Sequence, residues 1–109
     1  MEITKNLTEI DHLVVLVADL DQSIHWYTSS FKCEVLYTTK TLAVLQFNNI
    51  KLVLSLPSEQ RPHIAYKKVT AHEFGEILEQ GDLCHSTFVA DPAGNLVELV
   101  SKSIEEVLS

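Results

Sequence analysis

Three residues of this 109-residue chain could do chemistry from places where their side chains are costly to keep: His12, His63 and Glu98. Each lies among aliphatic neighbours in a stretch that reads as a β-strand, where an unpartnered imidazole or carboxylate is unfavourable to desolvate. Two imidazoles and a carboxylate make a donor set suited to a divalent ion such as zinc, manganese, iron(II) or nickel, with positions left for water or substrate. The three are distant in sequence and form no local motif, so spacing alone does not bring them together. Each also fits a hydrogen-bonded or solvent-facing place on its own sheet.

Other candidates carry weaker signals. Gln46, flanked by Leu45 and Phe47, is a polar residue in an expected strand and is the candidate for substrate binding, pointing into a ligand cavity. His25, His72 and His85 fit surface or strand-edge places. Trp26 and Tyr66 fit core packing, with ligand contact as the alternative. Cys33 and Cys84 read as buried small residues with reduced thiols, since either would need a neighbouring base to act as a nucleophile. There is no glycine-rich phosphate loop, nucleophile elbow or cysteine zinc motif.

The elements that must position these residues follow from pattern. Residues 9–18 are rich in β-branched and aliphatic side chains and read as a buried strand. Asp21 is the expected cap of a helix whose apolar stripe is Leu20, Ile24, Tyr27 and Phe31. Glu34 to Thr38, Thr41 to Phe47 and Ile50 to Leu56 read as strands, with Asn48-Asn49 as a tight hairpin. Pro57 to Pro62 is a Pro-flanked polar linker, followed by a strand from His63 to Val69. Thr70 and Glu73 form a capping-box pattern ahead of Phe74, Ile77 and Leu78, which predicts a second helix stopped at Gly81. Strands Cys84 to Ala90 and Leu96 to Ser101 flank the turn Asp91-Pro-Ala-Gly-Asn95. Ser103 and Glu106 repeat the capping-box pattern before a short terminal helix. Both halves therefore run strand, helix, then antiparallel strands, an internal repeat within an α+β chain.

Composition bounds the function. With 46% apolar and 21% charged residues the chain has material for a core and too little charge for disorder. A net charge of -7 repels phosphate backbones and anionic membrane surfaces, so neither nucleic acid nor membrane is an expected partner. The longest apolar run, Leu13 to Ala18, is far short of a membrane span, and the N-terminal residues lack a signal peptide's apolar region; a cytoplasmic protein is expected.

Ile10-Asp-His12, Val17-Ala-Asp-Leu-Asp21, Ser23-Ile-His-Trp-Tyr27, Pro62-His-Ile-Ala-Tyr66 and Phe88-Val-Ala-Asp-Pro-Ala-Gly-Asn-Leu-Val-Glu98 together resemble the vicinal oxygen chelate superfamily. That group includes glyoxalase I, fosfomycin-resistance proteins, extradiol dioxygenases, methylmalonyl-CoA epimerase and bleomycin-resistance proteins. The resemblance implies paired βαβββ modules forming an open, cup-like, mostly antiparallel sheet. It places a single glyoxalase-like domain over 1–109, with module one at about 9–56, a linker at 57–62 and module two at about 63–101. The second module is shortened, with a strand between Gly81 and Phe88 missing or reduced.

The resemblance also implies a metal site whose ligands come from the first and last strands of each module. His12, His63 and Glu98 match three of those places, and the fourth falls near Leu54, which cannot ligate. Glu98 is then also the catalytic candidate, because a metal-bound carboxylate can move a proton next to a carbonyl. The implied activity is a metal-dependent lyase, isomerase or dioxygenase acting on a small oxygenated metabolite. The alternative is a non-catalytic, bleomycin-resistance-like protein that sequesters a ligand, which the negative charge and the missing fourth ligand favour. Relatives of this size commonly form homodimers, so the resemblance implies a homodimer, in which His12 would come from one subunit and His63 with Glu98 from the other.

Overall fold

In the computed structural model, which describes residues 6–80 and 83–108, the β-branched run at the start of the chain forms strand β1 (Ile10–Leu16). Its neighbours follow as helix α1 (Leu20–Ser30) and strands β2 (Glu34–Thr38), β3 (Leu42–Gln46) and β4 (Lys51–Ser55). The second half runs β5 (His63–Lys67), a 3-10 turn at Ala71–Glu73, β6 (Leu78–Glu79), β7 (His85–Ala90), β8 (Leu96–Lys102) and helix α2 (Ile104–Leu108). All eight strands join one curled sheet in the order β2-β3-β4-β1-β5-β8-β7-β6. The β1–β4 and β5–β8 pairings are parallel and the others antiparallel.

Two halves of equivalent topology therefore meet edge to edge at β1 and β5, and the register makes the equivalence explicit. His12 pairs with Ala65 while Val14 pairs with His63, so His12 and His63 exchange places about the centre of this antiparallel ladder. Continuing outward, Ala65 pairs with Glu98 and Val14 with Val53. Val53, fully buried, is thus the first module's counterpart of Glu98. The expected fourth ligand place near Leu54 shifts by one residue, and alternation sends Leu54 to the opposite face. The place equivalent to Glu98 is held by the apolar side chain of Val53.

Alternation sorts the two faces. On the outer face Leu20 of α1 buries against Ala43, Leu45 and Leu54, with Ile24, Tyr27, Leu52 and Leu56 packed around them. Each such aliphatic side chain contributes roughly 1.5–3 kcal/mol when buried. On the inner face Val14, Leu42, Val44, Val53, Ala65 and Val100 pack with Leu83, Cys84 and Ile104.

Several local expectations change. The cap of α1 is Asp19, whose carboxylate accepts from the Gln22 amide, rather than Asp21. Trp26 is 56% exposed and meets Tyr27 and Phe31 edge-on, so it is not a core residue. The Asn48-Asn49 hairpin forms with the Phe47 amide donating to the Ile50 carbonyl at 2.9 Å, and neither asparagine takes a positive φ. The predicted second helix is a single 3-10 turn. Thr70 makes no side-chain capping bond, and Leu78, expected on the helix, pairs with Ser86 in β6. A short apolar stripe next to a free sheet edge loses to strand pairing, since isolated helices of this length are marginal. The shortening of the second module is accordingly in its helix and in the two-residue β6. The expected stop at Gly81 lies outside the described residues.

The turn before β8 behaves as read. Asp91 Oδ1 accepts from the amides of Ala93 and Asn95, and Gly94 takes φ 87°, which only glycine adopts freely. The Ser103–Glu106 capping box also forms, the Glu106 carboxylate accepting from the Ser103 amide at 2.8 Å. No helix among the described residues is long and apolar enough to cross a membrane.

Candidate metal centre

The junction of β1, β5 and β8 brings His12, His63 and Glu98 together, with one donor atom from each lying within 4.8 Å of the others. His12 and Glu98 are each only 2% exposed. All three come from one chain, so the division of ligands between two subunits expected from the resemblance is not needed to assemble the cluster.

Hydrogen bonding fixes what each side chain presents. The His12 Nδ1–H donates to the buried Asp11 carboxylate at 2.7 Å, and the His63 Nδ1–H donates to the Arg61 carbonyl at 2.7 Å. A carbonyl and a carboxylate only accept, so in the neutral rings both Nε2 lone pairs face the cluster. There they meet Glu98 Oε1, 2.7 Å from His63 Nε2 and 3.2 Å from His12 Nε2. Lone pairs facing a carboxylate oxygen at such distances repel unless a proton or a cation lies between them. His12 Nε2 is also buried with no hydrogen-bond partner. An orphaned imidazole nitrogen beside a second imidazole and a carboxylate is the donor chemistry a divalent ion fits.

The surroundings bias these groups electrostatically. Burial disfavours the His12 imidazolium, but the Asp11 and Glu98 carboxylates outweigh it and hold its pKa up at about 8. Burial likewise opposes ionisation of Glu98, yet His12, His63 and Ser86 hold its carboxyl well below the usual range. Burial and the nearby Glu98 charge push the Cys84 thiol far up, so it stays protonated. Asp11 is itself braced by Lys51, whose Nζ lies 3.4 Å from Asp11 Oδ1 and 2.7 Å from Glu105 Oε1 on α2. Asp11, Lys51 and this link to α2 were not singled out by the sequence. The alternating polar signal at Lys51 in β4 was the available clue.

A cleft of about 540 Å³ opens beside the cluster. His63 lines it together with Phe88, whose ring stands edge-on to the imidazole at 5.2 Å. Leu42, Leu83 and Leu96 supply apolar wall, and Arg61, Glu59 and Glu79 supply charge. Gln46 is on the inner face but does not line this cleft; its amide nitrogen donates to the Phe47 carbonyl at 2.7 Å. His25 and His72 are exposed and His85 half-buried, all away from the cluster.

A βαβββ half and a second half of like strand order, its helix reduced to a 3-10 turn, close an open sheet around a buried His-His-Glu cluster, which is the architecture of vicinal oxygen chelate proteins. The chain belongs to the Glyoxalase/Bleomycin resistance protein/Dioxygenase superfamily, whose profile matches residues 9–83 and so includes His12 and His63. Among solved structures, a methylmalonyl-CoA epimerase in complex with methylmalonyl-CoA and ammonium superposes with TM-score 0.67 at 23% identity, covering 90% of this chain and 99% of that one. A Streptomyces coelicolor methylmalonyl-CoA epimerase variant in complex with 2-nitronate-propionyl-CoA gives 0.66 at 24%, covering 87% and 94%. The Mycobacterium tuberculosis methylmalonyl-CoA epimerase gives 0.62 at 19%, covering 93% and 92%. At these identities the likeness is one of fold.

Proposed function

We propose that the chain is a divalent-metal-dependent enzyme in which His12, His63 and Glu98 hold the ion and the adjoining cleft receives a small oxygenated substrate. The observation that carries this reading is the orphaned, buried His12 Nε2 facing His63 Nε2 and Glu98 Oε1. A bound ion supplies Lewis acidity, stabilising negative charge that develops on vicinal substrate oxygens.

The protein's own groups do the rest. Asp11 and the Arg61 carbonyl keep both rings in the ligating tautomer. Phe88, Leu42, Leu83 and Leu96 present apolar surface that limits water around the substrate. Glu59 and Glu79, on the wall of the cleft, are carboxylates able to take or return a proton beside a carbonyl. Together with the epimerase complexes of like fold, this favours proton transfer of the isomerase or lyase kind over ring-cleaving dioxygenation.

Metal content of the purified chain, measured by plasma mass spectrometry beside His12→Ala and Glu98→Gln variants, tests the reading. Near-stoichiometric metal in the native chain and its loss in both variants is expected. A native chain that stays metal-free after reconstitution overturns it, and turns attention to sequestration of a cationic ligand in the cleft of this acidic protein.

A further inference from the structure

The two oxygens of Glu98 have different surroundings. Oε1 faces the imidazoles, whereas Oε2 accepts from Ser86 Oγ at 2.6 Å and from Cys84 Sγ at 3.3 Å. Both donors are fully buried, on β7 and on the segment leading into it, so neither has water as an alternative partner. The β7–β8 ladder places them: Ser86 pairs with Val100 and Phe88 with Glu98, which puts residues 86, 88, 98 and 100 on the inner face.

We infer that Ser86 and Cys84 are positioning residues that hold Oε2 away from the ion, so that Glu98 ligates through Oε1 alone. The inference rests on the proposed metal site and deepens it. A carboxylate free to rotate takes an ion through one oxygen or two, and the second mode occupies a coordination position that a substrate needs. Two buried donors on Oε2 oppose that rotation, because swinging Oε2 toward the ion would strand a hydroxyl and a thiol without acceptors. On the first module no side chain competes, since Val53 occupies the place equivalent to Glu98. Single-oxygen ligation together with an apolar Val53 would leave room at the ion for substrate. Groups that orient a ligand in this way typically alter metal affinity by about 10-fold to 100-fold when removed.

The Cys84 thiol is a built-in probe, because S–H stretching falls in an otherwise empty part of the infrared spectrum. The experiment uses the Cys33→Ser chain, leaving Cys84 as the one thiol, recorded without metal and with zinc. A band lowered by hydrogen bonding to a carboxylate is expected, and it should persist on zinc binding. Carboxylate stretches assigned with Glu98→Gln should show the wide splitting of single-oxygen ligation. Ser86→Ala should weaken zinc binding about 10-fold or more and narrow that splitting, and Ser86→Thr, which keeps the hydroxyl, should restore both. A thiol band at its unbonded frequency, its release on zinc binding, or a splitting indifferent to Ser86→Ala overturns this inference while leaving the metal site standing. Failure of the native chain to take up zinc removes the proposed function and this inference with it.

Discussion

His12 Nε2 and Glu98 Oε1 lie 3.2 Å apart on two almost fully buried side chains, in a geometry that gives His12 Nε2 no hydrogen bond. The His12 nitrogen facing Glu98 is left without a partner of its own. A structural histidine would normally spend both ring nitrogens on partners, as buried polar groups almost always do. Here only the outward nitrogen is spent, on Asp11.

Metal should therefore stabilise the fold directly. With free zinc at a hundred times its dissociation constant the native chain should gain about 2.7 kcal/mol, read as a rise in Tm. The gain should vanish in His12→Ala and Glu98→Gln. An equal rise in those variants would place the ion elsewhere.

Stability of the metal-free chain should depend on pH with a defined sign. His12 is raised from 6.5 to about 8, so its contribution is complete below pH 6.5 and is lost as pH rises through about 8. The loss is on the order of 2 kcal/mol. Glu98 is lowered, so its contribution is present above its ordinary value of 4.5 and fades as pH falls well below it. Zinc affinity runs the opposite way to the first effect, rising up to about pH 8 because His12 must shed its proton to ligate. Denaturant melts at several pH values, with chelator and with zinc, check both signs; a metal-free stability that climbs between pH 6.5 and 8 would contradict the His12 assignment.

Restoring the absent carboxylate gives a further test of the internal symmetry. Val53→Glu should lower metal-free stability by several kcal/mol, since a charge is placed at a fully buried site. Zinc should rescue this variant by more degrees of Tm than it adds to the native chain, because a fourth donor then faces the ion. The same rescue for Leu54→Glu would show that the register does not mark out the ligand position.

How much of this was legible beforehand differs by residue. His12, His63 and Glu98 were legible as types, polar groups stranded in apolar strands, and the resemblance joined them. Their convergence was not, because it depends on the β1–β5 register and on two parallel pairings that no local pattern encodes. The helix expected after Thr70 does not form because the capping-box signal is local, while the competing strand partner for Leu78, Ser86 on β7, is not. Asp19 displaced Asp21 as a cap within the usual uncertainty of helix ends. Gln46 pairs with Lys51 in β4, in line with His12, whereas the described cleft is lined on the Leu42 side of the strand.

The packing under the 3-10 turn can be tested independently of the metal. A Cβ added at Gly75 would come within 2.7 Å of Thr87 Oγ1, on a buried, stiff β-branched side chain. Gly75→Ala should cost about 1–3 kcal/mol, and combining it with Thr87→Ala should recover part of that loss. Additive losses in the double variant would show that the two residues do not meet.

Because the donors of the cluster come from β1, β5 and β8, no short stretch of the chain can assemble it. During synthesis His12 emerges long before Glu98, and β1 cannot complete its ladder until β4 and β5 have followed. Such non-local pairing folds slowly. Capture of the proposed ion is consequently a late event that reports a finished molecule. A nascent or truncated chain lacking β8 lacks Glu98, and with it the completed three-donor cluster.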